Sequence, residues 1–176
     1  MQLKSLEGCR LKIGSYPPFS YNACGGGGIG TLQPGSGDNL VYVNFSSQRF
    51  SIPPLVSRTT KFLYLPLPPG LKIEIFMDKL EGTIEKDSGN ILFKFESKFT
   101  FSIGNIIKFP YLLVKTSLST GQVQGKLHKG KGIPLQKDGK TKLVGISIIP
   151  KTGSKFLDTF LSLPNEALAE LRCEIK

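Results

Sequence analysis

The chain reads ILFKFESKFTFSI from Ile91 to Ile103, and this stretch decides the fold. Apolar residues occupy alternate positions, and most of the positions between them are charged or polar. Alternation with a period of two is typical of a β-strand that buries one face. The apolar face comprises Ile91, Phe93, Phe95, Phe99, Phe101 and Ile103, and the polar face comprises Lys94, Glu96, Lys98 and Thr100.

The alternation continues on both sides of this stretch. Residues 71–77 alternate, and residues 80–85 lead into a Gly-containing turn at 87–90, which predicts a hairpin with the strand from Ile91. A second hairpin is predicted over 112–127. Further strands are predicted at Cys9–Ile13, 40–45, 48–52, 61–65, 142–149 and 171–175.

These strands predict an all-β protein, a single antiparallel β-barrel or closed sandwich of about 8–10 strands. Residues 1–176 are interpreted as one domain, with polar loops at 25–39 and 127–140. One short C-terminal helix is predicted from Ser154, because apolar residues recur there at a spacing of three to four. Closure of the barrel would bring Cys9 and Cys173 onto nearby strands.

Composition excludes several classes of protein. No apolar run approaches the roughly 18 residues of a membrane-spanning helix, and the N-terminal residues do not read as a secretory signal. The cysteines, Cys9, Cys24 and Cys173, are odd in number and lack a C-x-x-C spacing, so neither a disulfide framework nor a zinc site is expected. No metal and no cofactor is predicted, and a reducing compartment such as the cytoplasm is the expected location.

Two motifs that suggest catalysis fail on their context. GGGGIG at 25–30 contains G-x-G-x-x-G, but TLQPG follows it and cannot continue the helix that a dinucleotide fingerprint needs. His128, the single histidine, has only lysines as charged neighbours in sequence and no acid to orient it as a general base. No catalytic residue is therefore predicted, and the sequence favours a protein that is not an enzyme.

Positive charge is concentrated in one quarter of the chain. The net charge is +10, and residues 106–150 hold eight lysines against the single acid Asp138. Such a field attracts acidic partners, so we predict a site for an anionic membrane surface or an acidic protein complex, with Tyr16, Phe19 and Tyr21 as loop anchors. The predicted docking residues are Lys126, His128, Lys129, Lys131, Lys137, Lys140 and Lys142.

Two further functions stay open. The rings of Phe93, Phe95, Phe99 and Phe101 either fill the core or line a cavity for a small apolar ligand, because barrels of about eight strands do both. If they line a cavity, the protein is a lipocalin-like carrier of a lipid, prenyl chain or pigment. The other open function, nucleic-acid binding, is disfavoured, because the basic quarter holds no Arg to contact phosphate groups.

Several segments resemble an uncharacterised protein family of cyanobacteria and plastids. The segments are PLPPGLKIEIF at 66–76, FTFSIG at 99–104, TSLSTG at 116–121, LVGI at 143–146 and FLDTFLSLP at 156–164. The resemblance covers most of the chain and implies no activity and no site residues. It implies a cellular setting, the cytoplasm or plastid stroma at the periphery of the thylakoid membrane, whose anionic face would attract the basic quarter.

Overall fold

The computed structural model describes residues 1–35 and 37–176, and it confirms the all-β fold with one short helix. Its elements are β1 (Gln2–Ser5), β2 (Cys9–Ile13), β3 (Phe19–Tyr21), β4 (Gly27–Pro34), β5 (Leu40–Ser51), β6 (Thr60–Phe62), β7 (Leu65–Pro66), β8 (Leu71–Glu85), β9 (Ile91–Ile103), β10 (Ile107–Lys108), β11 (Leu112–Ser119), β12 (Gln122–Gln124), β13 (Lys129–Lys131), β14 (Lys140–Ile149), α1 (Lys155–Phe160) and β15 (Asn165–Ile175).

Eight antiparallel strands form a ring in the order β1, β4, β5, β8, β9, β11, β14, β15, and β1 pairs with β15 to close it. At the closure, Leu3 lies opposite Ile175 and Ser5 opposite Cys173. The predicted proximity of Cys9 and Cys173 is confirmed: both are free and buried, and the Arg172 backbone N–H donates to Cys9 Sγ at 3.4 Å. Burial raises the pKa of the Cys173 thiol to about 12, and neighbouring Cys9 adds to the shift.

A fork at β15 divides the barrel into two halves. The C-terminal part of β15 pairs with β1, whereas its N-terminal part pairs with β2, with Ala167 opposite Ile13. Beyond β2 the sheet continues through β3, β6 and β7. β5 pairs only with the C-terminal part of β8. In this half the N-terminal part of β8 is met by Leu55, and the backbone groups of Leu55 and Ile73 exchange two hydrogen bonds of 2.9 Å.

The predicted hairpin around residue 91 is confirmed, with one refinement. The stretches 71–77 and 80–85 are parts of a single strand, β8, and the pairing with β9 shifts register between Met77 and Lys79. The extra residue, Asp78, forms a β-bulge. The bulge explains why the apolar positions of β8 are odd-numbered before it and even-numbered after it.

The second predicted hairpin is wrong in its pairing. β11 lies between β9 and β14 in the ring. β12 pairs instead with β13, so the predicted loop at 127–140 contains a strand. The resulting two-stranded sheet packs on β14 and β15, and Gly130 lies against Leu168 and Val144.

The predicted loop at 25–39 is also wrong, because β4 occupies 27–34 of it; Ser36, within the same stretch, lies outside the described residues. The glycines of β4 allow close packing in the sheet. A Cβ at Gly27 would lie 2.0 Å from the carbonyl oxygen of Leu3, and one at Gly28 would lie 2.5 Å from that of Arg49. Neighbouring strands therefore approach β4 more closely than a side chain allows.

Two hydrophobic clusters fill the two halves differently. The packed half lies where β1 closes the ring; its cluster includes Leu3, Phe45 and Phe93, each at most 2% exposed. Phe45 meets Phe50 and Phe93 in edge-to-face contacts. The hollow half lies where β2, β3 and β6 extend the sheet, and its cluster includes Ile13 and Leu112.

The predicted helix is confirmed as α1, which connects β14 to β15 at the end of the hollow half. Ser154 is its N-cap, and its hydroxyl accepts a hydrogen bond from the Leu157 N–H. Leu157 faces the interior, whereas Phe156 and Phe160 are exposed. Across residues 1–35 and 37–176, no helix has both the length and the apolar character to cross a membrane.

Candidate ligand-binding cavity

The hollow half contains an apolar cavity of about 340 Å³. Every residue that lines it has a hydrocarbon side chain, so among these residues there is no acid, base or nucleophile. The walls come from the sheet, from the segment around Leu55 and from α1. The lining residues are Leu11, Ile13, Phe19, Leu55, Phe62, Leu67, Pro68, Leu71, Ile73, Phe99, Phe101, Ile103, Phe109, Leu112, Val114, Ile149, Phe156, Leu157, Phe160 and Leu161.

Aromatic rings surround the mouth of this cavity. Phe156 stacks on Phe109 at 5.3 Å between ring centroids and on Phe160 at 5.9 Å. The Tyr16 hydroxyl donates a hydrogen bond to the carbonyl oxygen of Phe160, which ties the end of α1 to the turn after β2. Phe156, Phe160 and Ile103 line the cavity and are themselves exposed, so the cavity reaches the surface between α1 and the end of β9.

A second, mostly apolar cavity of about 110 Å³ lies between the two halves, and Ser5, Arg10 and Glu170 also border it. It shares Leu11, Leu55 and Phe99 with the larger one, so the two cavities adjoin at these side chains. Phe50 and Leu80 of the packed half form its far wall. The apolar interior therefore narrows from the mouth of the hollow half toward the packed half.

The structure divides the four phenylalanines that were predicted as cavity lining. Phe99 lines both cavities, Phe95 lines the smaller one and Phe101 the larger one. Phe93 does not line either cavity. Its prediction is wrong, because its ring is fully buried against Phe45 in the packed half.

The prediction of exposed loop anchors is wrong for Phe19 and Tyr21, whereas Tyr16 does lie in the turn between β2 and β3. Phe19 and Tyr21 belong to β3, and Phe19 stacks on Phe62 at 4.6 Å in the cavity wall. Tyr21 is buried, its hydroxyl donates to the carbonyl oxygen of Pro53, and burial raises its pKa. Tyr16 is half-buried against α1. Phe19 and Tyr21 therefore support the hollow half and do not form a separate contact surface.

The predicted docking lysines fall into two groups on the outer side of β14 and β15. Lys126, Lys129 and Lys131 are exposed on the hairpin of β12 and β13. Lys137, Lys140 and Lys142 surround an open surface depression of about 620 Å³ together with Arg172 and one acid, Asp138, which pairs with Lys140. Lys142 lies directly opposite Arg172 in the sheet. We name the set Lys137, Lys140, Lys142 and Arg172 the basic depression.

His128, predicted as an exposed member of this surface, is buried at 6% exposure. Its chain is held by Glu166: the backbone N–H groups of Lys126, Leu127 and His128 donate to the Glu166 carboxylate at 2.7, 3.0 and 2.7 Å. Burial opposes ionisation of this carboxyl, but the three donors outweigh it and keep the pKa of Glu166 below its usual range. The carboxylate therefore fixes the hairpin of β12 and β13 to β15 and holds His128 in its buried position.

Sequence reasoning missed the arrangement of the residues that make the mouth. Helical spacing identifies Phe156 and Phe160 in the sequence, whereas Phe109 stands out there only as an aromatic residue at the start of the basic quarter. No local pattern shows that residues 109 and 156 stack, since that contact depends on how the ring closes. Apolar residues beside Pro and Gly, where the sequence predicts loops, are the signal that could have pointed to this end.

Comparison of the chain with protein-family models, with curated proteins and with solved structures finds no match. No activity, ligand or partner is therefore transferred to this chain from another protein.

Proposed function

We propose that the protein binds a small apolar ligand in the cavity of the hollow half and acts as its carrier. The observation that carries the proposal is the cavity itself, about 340 Å³ with a lining made only of hydrocarbon side chains. Binding sites for small molecules usually measure about 300–1,000 Å³ and are mostly apolar. Nothing in the lining would pair with a polar group, so a polar ligand would lose its hydrogen bonds to water on entry.

The shape of the interior supports a single hydrocarbon chain as the ligand. The volume lies at the lower end of the usual range, and the space narrows from the mouth toward the second cavity. One acyl or prenyl chain fits this description better than a two-chain lipid or a whole pigment. The head group of such a ligand would stay at the mouth, where water and Lys155 are accessible.

Titration with the fluorescent fatty acid cis-parinaric acid tests the proposal. We expect saturable binding and displacement by palmitate. Val114 lines the cavity, so Val114→Phe should fill part of it and weaken binding at least about tenfold, the equivalent of roughly 1.4 kcal/mol.

The matched control is Val123→Phe, at a half-buried valine of β12, outside the barrel. It should leave binding unchanged. Absence of saturable binding to the wild type, or equal binding by the Val114→Phe protein, would contradict the proposal.

A second candidate function is docking on an acidic protein surface, and the basic depression favours it. Lys142 and Arg172 are directly opposite each other, an arrangement that costs stability in a sheet. Among described residues neither side chain has an ion pair. A bound acidic partner would relieve this repulsion. The resemblance to a family of cyanobacteria and plastids makes acidic complexes at the thylakoid surface the first partners to test.

Binding to such complexes at low and high salt tests this candidate. The double variant Lys142→Gln/Arg172→Gln should lose most of the salt-dependent binding, because the attraction is electrostatic and screened by ions. The double variant Lys94→Gln/Lys115→Gln, which also removes two positive charges but at positions on β9 and β11, is the control. Equal loss in both variants would show that only net charge matters and would remove this candidate.

A further inference from the structure

The loops at the mouth of the cavity expose an unusual number of apolar side chains. We name residues 14–18, 61–70, 104–111 and 150–164 the mouth loops, because the pairings of β2, β8, β9, β11, β14 and β15 bring their ends to one end of the hollow half. About a fifth of the chain thus carries half of the large apolar side chains that are exposed among described residues. They are Leu63, Tyr64, Leu65, Ile106, Ile107, Tyr111, Phe156 and Phe160.

Two of these side chains stand at hairpin tips. Tyr64 is 96% exposed between β6 and β7, and Ile106 is 94% exposed between β9 and β10. Isolated exposed apolar residues are ordinary on a protein surface. A group of them around the opening of an apolar cavity is the pattern of an interaction site.

The tip at Tyr64 is built against the usual preferences of its turn. Phe62 pairs with Leu65, so the hairpin has a two-residue loop, and both loop residues have positive φ, 52° at Leu63 and 64° at Tyr64. Two-residue hairpins with positive φ at both positions strongly prefer Asn-Gly, because Cβ atoms are strained there. Leu-Tyr at these positions gives up conformational stability and exposes two apolar side chains to water. Neither the strained turn nor the exposure of the two side chains stabilises the fold.

The charges of the mouth loops favour an anionic partner. All their residues are described, and their charged side chains are Lys61, Lys108, Lys151 and Lys155 together with one acid, Asp158. Asp158 is already engaged: it accepts N–H groups from Thr152 at 2.7 Å and Gly153 at 3.2 Å. Apolar tips flanked by lysines match an anionic bilayer, in which the tips enter the acyl boundary and the lysines meet the headgroups.

We infer that the mouth loops dock on an anionic lipid bilayer, with Tyr64 and Ile106 inserted, so that the cavity opens toward the acyl chains. The inference rests on the proposed carrier function and names where its ligand comes from. A single apolar chain would pass between bilayer and cavity without crossing water. The docking surface lies at the end of the hollow half, whereas the predicted lysines 126–142 lie on the outer side of β14 and β15; Lys126 is the one near the mouth loops, because its backbone N–H donates to Glu166 at the start of β15.

Co-sedimentation with vesicles tests the inference. The vesicles are pure phosphatidylcholine and a mixture of phosphatidylcholine with phosphatidylglycerol, each at low and high salt. We expect binding to the mixed vesicles that weakens with salt. In the double variant Leu63→Asn/Tyr64→Gly, binding should fall at least about tenfold, while thermal stability is kept or raised because Asn-Gly suits the turn.

Two control variants separate the mouth from other surfaces. Phe76→Ser removes an exposed aromatic ring from β8 outside the mouth loops, and Lys129→Gln/Lys131→Gln removes two lysines of the hairpin of β12 and β13; both should bind vesicles like the wild type. The inference is overturned if the wild type does not bind, if the Asn-Gly variant binds equally well, or if either control loses as much binding.

Ligand uptake without vesicles keeps the two proposals distinguishable. The Leu63→Asn/Tyr64→Gly protein should take up cis-parinaric acid from solution as the wild type does, since neither side chain lines the cavity. Probe uptake without vesicle binding would overturn the docking inference and leave the carrier function standing. Vesicle binding without saturable probe uptake would overturn the carrier function, and with it the transfer of a chain between bilayer and cavity.

Discussion

The packed half and the hollow half share β8, β9, β11, β14 and β15, yet they are closed by different strands. In the packed half, β1 joins β15 to β4, and continuous pairing returns through β5 to β8. In the hollow half, β2, β3 and β6 widen the wall, and Leu55 meets β8 through a single bridge. A continuous ladder between β5 and β8 draws the packed half together, whereas a single bridge leaves the wall of the hollow half more open. One sheet therefore encloses a solid core at one end and a cavity at the other.

This difference shows that alternation alone does not decide what an inward-facing residue does. Phe93 and Phe101 lie on the same strand and the same face, eight residues apart. Phe93 is fully buried in a solid core, and Phe101 borders a cavity. Their surroundings differ because the strands that face β9 across the interior differ, not because the local sequence does.

Truncating these two rings should give the largest contrast between the halves. Phe93→Ala is expected to lower the free energy of unfolding by about 3–5 kcal/mol, because it creates a new void in a close-packed core. Phe101→Ala should lose less than about half as much, because its ring already has empty space on one side and forfeits fewer contacts. Urea unfolding of both variants measures the difference. Equal losses would mean that the hollow half is as well packed as the other.

Replacing a valine by phenylalanine in each half tests the same difference in packing by adding side-chain volume instead of removing it. Val43→Phe in the packed half should cost about 1–3 kcal/mol through overpacking. Val114→Phe should change the free energy of unfolding by less than about 1 kcal/mol, because its ring enters the cavity. Thermal unfolding of the two variants in parallel sharpens the comparison, and a larger loss at Val114 would contradict the cavity volume.

Glu166 offers a smaller effect, on the outer side of β15. Its lowered folded-state pKa means that the carboxylate stabilises the hairpin of β12 and β13 fully above its unfolded pKa of about 4.3, and that this stabilisation is lost as the pH falls through the lower folded value. Glu166→Gln should cost about 1 kcal/mol and abolish that pH dependence. Amide hydrogen exchange of Lys126, Leu127 and His128 at neutral and acidic pH measures it.

The Glu166→Gln variant also tests whether the hairpin of β12 and β13 unfolds independently of the ring. The packed half does not contact the carboxylate, so the exchange rates of Phe45 and Phe93 should stay unchanged in the Glu166→Gln protein. Faster exchange there would show that the hairpin and the ring unfold together.

Local patterns were sufficient to predict several of the strands, among them β2, β8, β9, β11 and β14, together with the hairpin of β8 and β9, the helix and the proximity of Cys9 to Cys173. They failed where long-range pairing decides. The turn at 119–122 is readable from the sequence, but β12 pairs with β13, and no local signal distinguishes the two partners. The glycines at 27–30 read as a loop because glycine is unfavourable in strands; the close approach of Leu3 and Arg49 that requires them is visible only in the folded sheet.

The candidate site was predictable only in part, for the same reason. The apolar face of β9 indicated either a core or a cavity, and which one it forms depends on how the remaining strands close each half. The polar groups of His128 and Tyr21 favoured a place on the surface. Their burial depends on partners 38 and 32 residues away in sequence, Glu166 and Pro53.

The pairing of Leu3 with Ile175 has a consequence for synthesis of the chain on the ribosome. β1, β2 and β14 emerge before β15, and each keeps one edge unpaired until β15 is made. Open edges of this kind recruit strands from other chains, and contacts between residues so distant in sequence form slowly. We therefore expect this protein to depend on chaperones during translation more than a protein whose ring is closed by adjacent strands.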